Sequence, residues 1–138
     1  MRVFLDTNVL VSAVATRGLC ADVLREILLS HHLVLSAPLL AELKNTLRTK
    51  IGIPQELISD FIDLLIQDST LDDSAGPRDI DIKDKDDILI LSTALNGSAE
   101  LFVTGDKELL ELGEIEGMRI VSPRQFWEKL VTQQPDAR

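Results

Sequence analysis

Four places in the chain set acidic side chains against an apolar run: Asp6 in FLDTN (residues 4–8), Glu42 in PLLAELKNTL, the pair Asp86-Asp87 in DDILIL, and Asp106 in VTGD. Asn8 and Thr104 place an amide and a hydroxyl beside two of them. Carboxylate, amide and hydroxyl oxygens suit hard cations such as Mg²⁺ or Mn²⁺ and not zinc. Other chemistries lack their parts. His31 and His32 are the only histidines; they stand at the opposite end of a strand from the acids, and adjacent strand side chains point to opposite faces. No histidine is placed to activate Ser12, Ser92 or Cys20. The glycines are scattered, with no Walker sequence or phosphate cradle among them.

Acids so far apart in sequence meet only if the fold brings them together. RVFL (2–5) suits a buried strand and NVLVSAVA a first helix. LCADVLREILL carries Leu19, Val23, Leu24, Ile27 and Leu28 at the spacing of one helix face. HLVLS (32–36) predicts a second strand. Ser36 would cap the next helix, which tolerates Pro38 in its first turn, points Leu39, Leu40, Leu43 and Leu47 inward and ends before Gly52. A helix from Pro54 to about Gln67 rests on Leu57, Ile58, Phe61, Ile62 and Leu65. Residues 68–86, acidic and holding Gly76-Pro77, predict a loop with at most a short strand. DDILILSTALNG is a helix ending at Asn96-Gly97. ELFVT is a third strand, DKELLEL a short helix, RIVS a fourth strand and PRQFWEKLV a final helix. The alternation predicts a single α/β domain over residues 1–132, a sandwich on a mainly parallel sheet, with residues 133–138 a flexible tail.

In such a sheet, ligands bind where loops leave the carboxyl ends of the strands. Asp6 follows the first strand, Glu42 lies in the second turn of the helix after the second, Asp86 and Asp87 head the helix that feeds the third, and Asp106 follows the third. All four stretches therefore reach one edge. Taken singly, each acid at a helix start could be no more than a cap, because carboxylates favour that end of the dipole. Glu42 fits that account least, being past the cap and at the margin of a leucine face. Together the acids repel one another, and a divalent ion relieves the repulsion.

Composition bounds the rest. A hydrophobic content of 45% with 27% charged residues is that of a soluble globular chain. No apolar stretch approaches the ~20 residues that cross a bilayer. Asp6 and Asn8 interrupt the first apolar run, so no secretory leader is expected, and the protein is read as cytoplasmic with no membrane partner. The lone Cys20 cannot form an internal disulfide and reads as core. A net charge of −9 argues against a broad basic face for nucleic acid. The argument weakens if the acids form one cation pocket, where a bound metal reverses the local field.

The ordered set of a strand followed by Asp6-Thr7-Asn8, Glu42 in a later helix, Asp87-Ile-Leu-Ile-Leu-Ser-Thr-Ala94 and Val103-Thr104-Gly105-Asp106 resembles the PIN-domain ribonucleases. Within them it is most similar to the VapC-like toxins of toxin–antitoxin systems, which share VTGD and a late segment like Ser122-Pro123-Arg124-Gln125-Phe126. The resemblance covers nearly the whole chain. It implies a PIN-like three-layer sandwich with a mainly parallel central sheet of four or five strands flanked by helices. It further implies a site of Asp6, Glu42, Asp87 and Asp106 holding Mg²⁺ or Mn²⁺, with Asn8 and Thr104 supporting and Asp86 a rival or helper to Asp87. The implied reaction is hydrolysis of RNA to a 5′-phosphate and a 3′-hydroxyl by a homodimer whose antitoxin protein covers the site. Lys44, Arg48, Lys83, Lys85 and Lys107 are candidate phosphate contacts; each taken alone reads rather as part of a solvated face.

Two other readings stand beside this one. A non-catalytic PIN-fold binding module would keep the fold without cleavage, although clustered repulsion serves a scaffold poorly. An aspartyl-phosphate phosphotransfer protein would want a second aspartate two residues after the first, where this chain has Asn8, or paired acids after the first strand, where Leu5 and Thr7 flank Asp6.

Overall fold

In β1 (Arg2–Leu5), Val3, Phe4 and Leu5 are each 0% exposed. Neighbours in a strand point to opposite faces, so a run of buried residues means that both faces of the sheet are covered. The same holds for β2 (His32–Ser36) and β4 (Leu101–Val103). The computed structural model describes residues 1–67, 69–72 and 78–133. Between β1 and β2 lie α1 (Thr7–Ala15) and α2 (Leu19–Ser30). After β2 come α3 (Ala37–Thr46), a π-helical turn (Leu47–Ile51), α4 (Gln55–Gln67), β3 (Thr70–Asp72) and α5 (Lys85–Asn96). After β4 come α6 (Lys107–Leu112), β5 (Glu114–Ile115), β6 (Met118–Val121) and α7 (Pro123–Gln133).

The sheet order is β3-β2-β1-β4-β6-β5. Five strands run parallel, and β5 pairs antiparallel with β6 at one edge. The parallel part matches the expected strand number; the two-residue β5 adds a sixth strand, too short to carry an apolar period of its own. Helices on both faces complete the three-layer PIN-like sandwich, with Phe4 stacked on Phe102 at 5.3 Å between ring centroids inside it. The chain runs outward from β1 through β2 to β3, then returns to lay β4 on the other side of β1. That reversal puts a switch point between β1 and β4, where their carboxyl ends splay a crevice.

Two sequence expectations shift. Leu57 was expected to face inward from α4, but it is 58% exposed and Ile58, Ile62 and Leu65 make the buried face. The helix after β2 does not stay α-helical to Gly52: its last residues widen into the π turn, which Gly52 closes at φ +80. Only glycine adopts that left-handed conformation without strain. α7 runs to Gln133, and the rest of the expected tail, residues 134–138, lies outside the described residues. Among the described residues no single helix is long and apolar enough to cross a membrane.

Candidate functional site

Asp6 leaves β1 with extended backbone (φ −65, ψ 158) and caps α1, its Oδ1 accepting the Thr7 N–H at 2.8 Å. Its own N–H donates to the Val103 carbonyl at 2.9 Å, which locks it to the end of β4 across the switch point. From that neighbouring strand end the fully buried Thr104 hydroxyl donates to Asp6 Oδ2 at 2.7 Å and accepts the Asp106 N–H at 3.0 Å. Asn8 Oδ1 accepts the Gly105 N–H at 3.3 Å, a second tie between the two strand ends. Asp106 caps α6, its Oδ1 accepting the Glu108 N–H at 2.9 Å.

The other two acids do not cap. At the start of α5 that duty falls to Asp84, whose Oδ1 accepts the N–H groups of Asp86 at 2.9 Å and Asp87 at 3.3 Å. Asp87 is thereby free to turn toward β1 and is half-buried, while Asp86 is exposed and points away. The sequence left these two open, and the helix phase separates them. α5 is steadied from behind by Arg78, whose N–H donates to Ser92 Oγ at 2.8 Å and whose guanidinium reaches Asn96 Oδ1 at 2.9 Å and Glu116 Oε1 at 2.6 Å. Thr93 of α5 donates to Ser36 Oγ at 2.9 Å, and Ser36 caps α3 by accepting the Leu39 N–H. This joins the helix of Asp87 to the helix of Glu42. Glu42 is exposed, in the second turn of α3.

Asp6, Glu42, Asp87 and Asp106 line one open depression of about 410 Å³. Their charges are felt across it. Burial pushes the Asp6 carboxyl above its ordinary value of 3.8; the Thr104 and Thr7 hydrogen bonds oppose that, and the Glu42 and Asp106 charges add to it. Asp87 is pushed up to about 6, by burial first and then by the charges of Asp84, Asp106, Asp6 and Glu108. Both shifts have the sign of burial reinforced by neighbouring carboxylates.

A divalent cation fits this donor set by chemistry, since every acidic donor is a carboxylate oxygen. Thr7 adds a buried hydroxyl, 5% exposed and lining the same depression, whose oxygen has no hydrogen-bond partner. The fit is one of composition. Among the described residues no three acidic, histidine or cysteine side chains are already gathered as a cage. Of the four acids only Glu42 is exposed; the other three are half-buried.

Among the lining residues that escaped the sequence reading are Val11, Thr46 and Lys50, the last two on the wall of Glu42. Thr46 and Lys50 follow Glu42 at intervals of four, a spacing legible in the sequence. In a regular α-helix, however, eight residues leave Lys50 about 80° round from Glu42. The π turn takes more residues per revolution and brings Lys50 back toward the Glu42 side. The candidate phosphate contacts Lys44, Arg48, Lys83, Lys85 and Lys107 are exposed and outside the lining. His31 closes the C-terminal end of α2, its ring edge-on to Phe126 at 5.9 Å, and burial lowers its pKa. It stands at the start of β2, away from the acids.

Comparison with known proteins bears on the family and the fold. A family model described as PIN domain matches residues 2–108. The fold is similar to a chain in the crystal structure of VapBC2 from Rickettsia felis bound to a DNA fragment from their promoter, with a TM-score of 0.63 and 18% identity. The match covers 88% of this chain and 98% of that one, and at that identity it speaks for the fold alone. No curated protein matches the sequence.

Proposed function

The chain belongs to the PIN-domain family, and from that premise we propose that it is a Mg²⁺- or Mn²⁺-dependent endoribonuclease, the toxin of a toxin–antitoxin pair. The observation that carries the reading is the convergence of Asp6, Glu42, Asp87 and Asp106 on one depression at the β1/β4 switch point. A capping role accounts for Asp6 and Asp106 but not for Glu42 or Asp87. The likeness to a chain of the VapBC2 toxin–antitoxin complex supports a protein partner, an antitoxin that would cover the depression. A homodimer acting in the cytoplasm completes the proposal.

Asp6, Glu42, Asp87 and Asp106 would hold the ion, which when bound supplies charge to the scissile phosphate and acidifies water. The chain's own groups set the geometry. Thr104 fixes the Asp6 carboxylate through Oδ2, and Asn8 holds the Gly105 backbone so that Asp106 stays opposite. A carboxylate left partly unengaged orients the attacking water or accepts its proton.

The test is cleavage of a structured RNA by the purified protein with and without Mg²⁺ or Mn²⁺. Glu42→Gln should lower the rate at least tenfold while changing stability within about 0.5 kcal/mol, as for an exposed helix residue. The alternative is a non-catalytic PIN-fold binding module. It predicts no cleavage with either metal and no response to Glu42→Gln.

A further inference from the structure

Lys50 is an exposed cation on the wall of an acidic depression and pairs with none of its acids. It lines the same wall as Glu42, yet among the described residues it forms no ion pair. Its surroundings in sequence are also unusual for a chain of net charge −9: residues 43–55 hold Lys44, Arg48 and Lys50 and no carboxylate. All three are exposed, and the π turn at Leu47–Ile51 sets one of them, Lys50, on the wall of the depression while the other two lie outside it. Wide turns of this kind are rare and concentrate at functional sites.

We propose that Lys50 binds a backbone phosphate of the RNA strand next to the one at the acids, and that the π turn exists to present it there. The inference rests on the nuclease reading and adds the direction of the substrate, which leaves the acids along the end of α3. An ammonium on a flexible stem suits a phosphate as a point charge, and contact through phosphate carries no base preference. A lysine that served the acids would sit in contact with one; this one shares their depression and forms no ion pair among the described residues.

The experiment measures binding of two labelled single-stranded RNAs of unrelated sequence, with Ca²⁺ replacing Mg²⁺ to prevent hydrolysis, across a salt series. Lys50→Gln should weaken both RNAs alike by roughly tenfold and flatten the dependence of log K on log salt by about 0.7, the share of one phosphate on a single strand. Lys50→Arg should restore most of the affinity. In Mg²⁺ the KM should rise with kcat within about twofold, and the Mg²⁺ concentration for half-maximal cleavage should not move. If Lys50→Gln keeps wild-type affinity and salt slope while the wild type cleaves RNA, the assignment of Lys50 falls alone. If its loss tracks a changed Mg²⁺ requirement, Lys50 belongs to the electrostatics of the ion site and the proposal falls. A wild-type protein that neither binds nor cleaves RNA overturns the nuclease reading and this inference with it.

Discussion

Thr104 donates its hydroxyl to Asp6 Oδ2 at 2.7 Å from a fully buried position, so the first acid of the site is oriented by a residue that never faces the depression. The same oxygen accepts the Asp106 N–H, and one hydroxyl thus sets the relation of two carboxylates.

Thr104→Val keeps the shape and removes this link. It should cost about 1.5–3 kcal/mol, the value of a hydrogen bond to a charged group, whereas Thr104→Ser should retain most of it. The bond holds the Asp6 pKa down against burial, so in the valine variant the acid limb of the cleavage profile should move to higher pH. Chemical denaturation and a pH–rate series on both variants check this.

The raised Asp87 pKa makes stability depend on pH in metal-free buffer. Its folded value is about 6 against an ordinary 3.8, so between those values the folded state binds more protons than the unfolded state. Stability from this group is therefore lost as pH rises from 3.8 to about 6 and stays level above. Asp87→Asn should abolish that component: the melting temperature of the variant relative to wild type should climb across the window and then flatten. The difference should shrink in high salt, because Asp87 is only half-buried and its neighbours are screened.

Asp106 is the acid whose charge raises both Asp6 and Asp87. Asparagine caps a helix about as well as aspartate, so Asp106→Asn removes the charge and keeps the α6 cap. In chelator the variant should be the more stable by about 1 kcal/mol, equivalent to one unit of pKa. With Mg²⁺ the ranking should reverse, because the ion stabilises the folded wild type by mass action. Melting curves that run parallel in both buffers would mean that the acids do not share an ion.

Much of this was legible in the sequence, and what was not has physical causes. The β1, β2 and β4 runs read as strands because both their faces are buried, which leaves uninterrupted apolar stretches such as Val3-Phe4-Leu5. The positions of Asp6 and Asp106 followed from strand ends. The choice between Asp86 and Asp87 did not, since it depends on Asp84 taking the cap and so setting the phase of α5. Leu57 misled because α4 carries apolar residues on two sides, and Leu64, 57% exposed, repeats the pattern. Lys50 was hidden by the assumption of 3.6 residues per turn, which fails where the helix widens.

The switch point has a consequence for the order in which the chain is made. Asp6, Glu42 and Asp87 are all present once residues 1–99 exist, but β1 then has only β2 to pair with on that sheet. The Val103 carbonyl that receives the Asp6 N–H, the Thr104 hydroxyl and the Asp106 carboxylate all arrive with β4 and the turn after it. A nascent chain emerging from the ribosome therefore carries three quarters of the acids without the partner strand that aligns them. The depression takes shape late, as a closure between the two ends of residues 6–106, and the acids are aligned only once β4 has docked on β1.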